Sequence, residues 1–278
     1  MTPTQISDLL SDEKLNEYRK KIPQGVSHEQ LIIKAYNDRE GSLGYVDCPR
    51  CKNKGTIAVP APDANGGYVV KDCGCMKKRR LFENLSRSGL QGLYERYRFE
   101  TFEPEEDWQQ EMLCKCQAYI QDILSGKNYW LYFGGQRGCG KSHLCVATAG
   151  RLIAHGESVM YKLWKEIASE YKALTYKYEE QSRFMQSIRQ QDILYIDDLL
   201  KVREKNDLNH NFDLAFTVLN SRYNQKNPTI ISCEYLIKEL AQEDSAISGR
   251  IIEMTGGGKY VINIPHDPEK DMRLKHDE

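Results

Sequence analysis

The spacing of apolar residues changes several times along this chain. After Ser27, residues Leu31, Ile32, Ala35 and Tyr36 recur at helical intervals, which predicts an amphipathic helix with that face buried. A more polar helical pattern follows Ser11 in "SDEKLNEYRKK". Gly41 and Gly44 then break the periodicity. Two short β-prone runs, 55–59 and 68–71, flank the turn-rich "PAPDANGG" and predict a hairpin. The basic stretch "MKKRRLFENLSRSGL" reads as a helical connector, and "YERYRFETFEPEE" as a linker entering a larger domain near Trp108.

Beyond Trp108, β-prone runs at 129–133, 159–163, 193–196, 229–233 and 260–264 alternate with helical patterns. That alternation predicts an α/β domain whose mostly parallel sheet carries helices on both faces. One helix presents Phe212, Phe216, Leu219 and Tyr223 on a single face. Another carries Trp164, Ile167, Ala168 and Tyr171 at i, i+3, i+4 and i+7. The predicted organisation is a helical region at 1–44, a cysteine-bearing module at 45–76, a basic linker at 77–107 and the α/β domain at 108–278.

Composition narrows the classes. The formal net charge of −1 over 278 residues argues against a protein that coats nucleic acid wholesale. There is no apolar run of membrane-spanning length and no apolar signal-peptide core at the N-terminus, so a cytoplasmic protein without membrane partners is expected. Nine cysteines, in that compartment, read as metal ligands or packing residues rather than disulfides.

"GGQRGCGKS" supplies the first chemistry. From Gly135 to Ser142 it fits G-x-x-x-x-G-K-[ST], directly after a β-prone run and before a helical pattern. Glycines let successive N–H groups converge on phosphate oxygens, and the following helix adds its positive end. The loop Gly135, Gln136, Arg137, Gly138, Cys139, Gly140, Lys141, Ser142 and the adjoining His143 are the candidate nucleotide contacts. Lys141 would reach the β/γ-phosphates and the Ser142 hydroxyl would ligate Mg²⁺. The apolar strand "DILYIDDLL" runs into Asp197 and Asp198. Asp197 would hold the Mg²⁺ shell, and Asp198 would orient or deprotonate a water.

Cys48 and Cys51 form C-x₂-C, Cys73 and Cys75 form C-x-C, and the two pairs stand at the feet of the expected hairpin. Four converging thiolates suit a structural, tetrahedral Zn²⁺; free buried thiols or redox chemistry are the alternatives. Cys114 and Cys116 lie on a helical pattern without partners and read as packing or surface residues. "MYKLWKEIASEYKALTYKYEE" interleaves Lys162, Lys165, Lys172 and Lys177 with Tyr161, Trp164, Tyr171 and Tyr176, a pattern suited to single-stranded DNA. The same Trp164 and Tyr171 also fit a helix's core stripe. "KKRR" at 77–80 is either a phosphate contact or a solvated helix face.

Taken together, the loop, "LYIDD", "PTIISCEY", "SAISGRIIEM" and "RSGLQGLYERYRFETFEPEEDW" resemble the AAA+ ATPase core of replicative-helicase loaders of the DnaC/DnaI type, over about residues 45–265. The resemblance implies a five-stranded parallel sheet, ATP as nucleotide, homo-oligomerisation around the ATP site, single-stranded DNA binding, and an N-terminal zinc module that engages the hexameric replicative helicase. It places Arg250 where the family has its arginine finger; a surface arginine is the plainer reading. At the end of the fourth strand, where the family usually offers a small polar residue, stand Ser232, Cys233 and Glu234. Glu234 or Ser232 takes the water-orienting role, or hydrolysis is slow. Only residues 265–278 follow Ile264, too few for the helical lid of many AAA+ proteins, and Arg273 is the sole late candidate for a lid-borne sensor. The function expected is ATP-dependent loading of the replicative helicase onto single-stranded DNA. Rivals are a transposition-helper ATPase of the IstB kind, a nucleotide-switched interaction protein with little turnover, and a P-loop small-molecule kinase.

Overall fold

A computed structural model describes residues 26–61, 67–201 and 208–273. The helical pattern after Ser11 and most of the "PAPDANGG" turn lie outside them. The chain divides into two compact units, residues 1–83 and 84–278.

In the first unit, α1 (His28–Asp38) begins at a capping box. Ser27 accepts from the Gln30 N–H, and the Gln30 side chain returns to the Ser27 N–H. Its buried face is the predicted Leu31, Ile32, Ala35 and Tyr36, packed with Ala58. Strands β1 (Thr56–Pro60) and β2 (Tyr68–Asp72) pair antiparallel as the expected hairpin. Helix α2 (Cys75–Ser88) starts on the last cysteine of the cluster.

The second unit is built on five parallel strands: β3 (Leu131–Gly135), β4 (Val159–Leu163), β5 (Ile193–Leu199), β6 (Thr229–Cys233) and β7 (Val261–Ile264). Their order is β4-β5-β6-β3-β7. Every residue of β3 and β6 is buried, whereas the edge strands β4 and β7 are partly open. That explains why the central strands read as continuous apolar runs. The helices are α3 (Gln91–Tyr94), α4 (Asp107–Leu124), α5 (Lys141–Ala154), α6 (Trp164–Ala173), α7 (Tyr178–Arg189), α8 (Leu208–Gln225), α9 (Ile237–Glu243) and α10 (Ser245–Met254).

Packing sharpens three readings of the sequence. On α8 the most deeply buried apolar positions are Leu214, Ala215, Val218 and Leu219, while Phe212, Phe216 and Tyr223 are only partly buried. The aromatic stripe therefore flanks the core contact and leaves ring faces available for a cation. On α6, Trp164 is fully buried and its Nε1 donates to Asn211 Oδ1 at 2.9 Å, so it is a core residue and not a base-stacking platform. The segment read as a linker packs along α5: a Cβ at Gly150 would collide with the Tyr94 ring, and His143 Nε2 lies 2.8 Å from the Arg98 carbonyl.

Sheet order decides where chemistry can sit. β6 lies between β3 and β5, so the carboxyl ends of three adjacent strands meet at one edge. In an open parallel sheet that edge is where ligands bind.

Candidate functional site

The phosphate loop joins the end of β3 to α5. Gly135 has φ +107° and Gly138 φ +75°. A Cβ at Gly135 would strike the Ile264 carbonyl of β7, so both backbone shape and close approach demand glycine there. Lys141 is buried, and its Nζ donates to the carbonyls of Gly135, at 2.7 Å, and of Gln136. Cys139 is also buried, with its Sγ 2.9 Å from the Gln136 carbonyl, so it packs inside the loop. The His143 ring sits 5.1 Å from that of Tyr97 and 5.2 Å from that of Phe102. Burial lowers its pKa, and it pins residues 97–102 to the start of α5.

Opposite the loop, β5 carries a bulge. Ile196 pairs with Ile231 and Leu199 with Cys233, three steps on one strand against two on the other. Asp198 takes φ +56° at this bulge, and its N–H donates to Ser232 Oγ at 2.9 Å. Asp197 points into the site. Its Oδ1 accepts from Ser142 Oγ at 3.0 Å, Tyr195 OH at 2.8 Å and Ser232 Oγ at 2.5 Å. The Tyr161 hydroxyl approaches Oδ2 at 3.4 Å. Burial and the Asp197 charge push the Tyr161 phenol above its usual pKa, so it stays a donor at neutral pH. The Tyr161 hydroxyl is thus turned toward this carboxylate. A carboxylate and a hydroxyl from different elements, both oxygen donors and 3.0 Å apart, fit a hard divalent ion such as Mg²⁺.

At the end of β6, Ser232 braces the acidic pair and Glu234 lies further out. Glu234 accepts from Arg137 Nε at 2.7 Å and Arg137 Nη2 at 2.6 Å, and Lys201 Nζ is 3.1 Å from its Oε1. Burial opposes ionisation, yet these two cations hold its carboxyl below the usual range. Arg250, on α10, donates through Nε to Asn220 Oδ1 at 2.9 Å and through Nη1 to the Ala246 carbonyl at 2.8 Å. Its guanidinium lies 4.6 Å from the Phe216 ring and 5.5 Å from the Tyr223 ring. The flanking aromatics of α8 thus fix its direction.

Residues after β7 lie against the same loop. Gln136 N–H donates to the Ile264 carbonyl at 3.0 Å and Met272 N–H to the Gly138 carbonyl at 3.1 Å, while Asp267 N–H donates to Gln136 Oε1 at 2.5 Å. A Cβ at Gly138 would collide with the Asp271 carboxylate. That carboxylate opposes an incoming polyanion by on the order of 1 kcal/mol at a screened surface. Asp271→Ala is therefore expected to tighten nucleotide binding about five-fold by direct titration. Unchanged or weaker binding would show that this segment does not resist phosphate.

The cysteine cluster belongs to the first unit. The Sγ atoms of Cys48, Cys51, Cys73 and Cys75 all lie within 4.8 Å of one another, with Cys48–Cys73 at 3.8 Å and Cys51–Cys75 at 3.5 Å. The edge of a tetrahedron with Zn–S arms of 2.3 Å is about 3.8 Å, so the four thiols fit Zn²⁺. Gly55 N–H donates to Cys51 Sγ at 3.4 Å. Lys54 Nζ ties the Cys51 carbonyl, at 2.9 Å, to the carbonyls of Asn37 and Arg39 at the end of α1. Within "KKRR", Lys77 and Lys78 are exposed, whereas Arg79 is buried and donates to the carbonyls of Leu43, Gly44 and Val46 and to Asn53 Oδ1. Arg80 pairs with Asp72 at 2.8 Å. Arg79 is a brace for the cysteine loop rather than a phosphate contact. Cys116 is buried in α4 and Cys114 is exposed.

Of the lysines expected to meet DNA, Lys162 lies 4.0 Å from Glu170 and Lys177 3.3 Å from Glu180, and Lys165 and Lys172 are exposed on α6. Tyr176 is 99% exposed between α6 and α7. Among the described residues, no helix is long and apolar enough to cross a membrane.

The model of the bacterial DnaA ATPase domain matches residues 93–254, more than half of the 278-residue chain. The chain belongs to the bacterial DnaA ATPase-domain family. Within this AAA+ family it resembles the DnaC/DnaI type. It is 27% identical over 235 residues to the phage-like element PBSX protein XkdC of Bacillus subtilis (strain 168), covering 80% of this chain and 85% of XkdC. It is 29% identical over 126 residues to the replicative helicase loader DnaC of Escherichia coli (strain K12), covering 45% of this chain and 49% of DnaC. The match thus spans about half the length of that loader. A crystal structure of DnaI covers 64% of this chain and 92% of its own, at 21% identity and a TM-score of 0.50, and shares the fold. An ATPase domain of this family binds nucleotide with Mg²⁺, and the loop and the Asp197 cage are the parts of this chain that fit them.

The hydroxyl cage of Tyr161, Tyr195 and Ser232, the Lys201 contact and the Asp271 contact have no local sequence signal. Apart from Tyr195, which shares a strand face with Asp197 two residues on, each depends on sheet order or on chain segments far apart in sequence.

Proposed function

We propose that this protein is an ATP-dependent loader that delivers a hexameric replicative helicase onto single-stranded DNA. The match to the loader DnaC across the ATPase core carries the reading. Lys141, Ser142 and Asp197 hold nucleotide and Mg²⁺. A bound Mg²⁺ would supply charge stabilisation at the transferring phosphoryl group, and Asp198 would orient or deprotonate the attacking water. Arg250, held rigidly by Phe216, Tyr223 and Asn220, completes the site of a neighbouring copy in a homo-oligomer. The zinc-stabilised first unit engages the helicase. Lys162, Lys165, Lys172 and Lys177 supply cations for the DNA backbone, with exposed Tyr176 offering a ring face to a base.

A nucleotide-switched interaction protein with little turnover is the second reading, favoured by the engagement of Glu234 with Arg137 and Lys201. The loader reading is tested by affinity isolation of the full chain from its source cell. Co-isolation of the replicative helicase in stoichiometric amount is the expected result, and its repeated absence counts against a loader.

A further inference from the structure

Four charged side chains alternate in sign across the lip of the phosphate loop. Arg137 meets Glu234 through two parallel N–H···O bonds, of 2.7 and 2.6 Å. Lys201 Nζ then bridges Glu234 Oε1, at 3.1 Å, and Asp198 Oδ2, at 2.7 Å. The chain of contacts runs from the loop, past the end of β6, to the acidic pair after the β5 bulge. An isolated surface ion pair is worth little. This one differs in having fork-to-fork geometry, a second cation on the same carboxylate, and a Glu234 side chain only 29% exposed.

Two consequences follow for a site that must hold a polyanion. A bare carboxylate at the loop's rim would repel phosphate, so Glu234 without its partners is a liability there. Conversely, Glu234 Oε1 already meets two charged donors and Oε2 a third, so most of its acceptor capacity is spent on these cations rather than on a water. We propose that Glu234 is a positioning residue that fixes Arg137 as a same-chain cation for the nucleotide phosphates. Lys201 completes the arrangement by neutralising Glu234 and linking it to Asp198. The inference rests on the nucleotide-binding reading above, and it assigns Glu234 to phosphate affinity rather than to the water.

The test is a double-mutant cycle on the full chain with Arg137→Gln, Glu234→Gln and the double variant. ATP affinity is read by titration, and KM and kcat by steady-state turnover. Arg137→Gln is expected to weaken ATP binding about ten-fold, because it removes a cation and exposes Glu234. Adding Glu234→Gln to that background should restore part of the lost affinity, with the losses falling mostly on KM. Additive effects without rescue would overturn the pairing. So would a Glu234→Gln variant that loses kcat at unchanged ATP affinity, since that outcome makes Glu234 a water-orienting residue. Wild-type protein that binds no ATP would overturn the nucleotide reading itself, an outcome distinct from either.

Discussion

Asp197→Asn is expected to lower ATP turnover by roughly 10²–10³ while the fold is retained. The carboxylate is buried, and one of its oxygens gathers the hydroxyls of Ser142, Tyr195 and Ser232 at 3.0, 2.8 and 2.5 Å. Those donors come from α5, β5 and β6, so a single charged atom ties together the helix after the phosphate loop and two strands. An amide preserves the volume and one acceptor but removes the negative charge that a divalent ion requires. Metal stabilisation of developing phosphoryl charge is worth several kcal/mol, and each 1.36 kcal/mol is a factor of ten in rate. Steady-state hydrolysis, with a thermal melt as the folding control, reads the effect. Turnover within three-fold of wild type would mean that Asp197 is not the metal-side carboxylate.

Cys51→Ser, or exhaustive chelation of the native protein, is expected to unfold the cysteine-bearing unit while leaving the ATPase unit folded. Apart from the small core that α1 makes with Ala58, that unit has few buried apolar residues to hold it. Its hairpin strands are five residues each, and β2 is almost entirely exposed. The local core around the cluster is Cys51, Ile57, Cys73 and Cys75, flanked by Val46 and Val59. In modules of this size metal-binding free energy is largely folding free energy, on the order of 10 kcal/mol for zinc-finger peptides. Limited proteolysis should cut the altered protein within residues 26–83 and spare the rest, while elemental analysis shows zinc lost. Zinc-free protein with unchanged protection of that region would show that the thiols are ordinary packing residues.

What the sequence disclosed, and what it withheld, follows the range of the interactions involved. The phosphate loop was legible because its geometry is local: four residues separate Gly135 from Gly140, and Lys141 and Ser142 follow at once. The first face of α1 was equally legible, since Leu31, Ile32, Ala35 and Tyr36 bury together on one helix. The four cysteines announced themselves by spacing within two short turns. By contrast, Arg137 and Glu234 stand 97 positions apart and meet only because β6 lies beside β3. The β5 bulge that turns Asp198 into a left-handed conformation has no glycine to signal it. On α8, the spacing places Phe212, Phe216, Leu219 and Tyr223 on one face but does not say how deeply each is buried. The Leu214–Ala215–Val218–Leu219 face is buried more deeply, and the aromatics hold Arg250 instead. Arg79 shows the same limit, because a basic run gives no hint that one of its members will brace three carbonyls of a cysteine loop.

Helicase transfer is the central claim, and its direct measurement uses closed circular single-stranded DNA, on which a ring can be placed only by opening it. With the full chain, ATP and the replicative helicase, salt-resistant helicase should accumulate on the circles. Lys141→Ala, which removes the cation expected to reach the β/γ-phosphates, should abolish the gain. Equal helicase on the circles with wild-type chain, with Lys141→Ala and with no loader added would contradict the account.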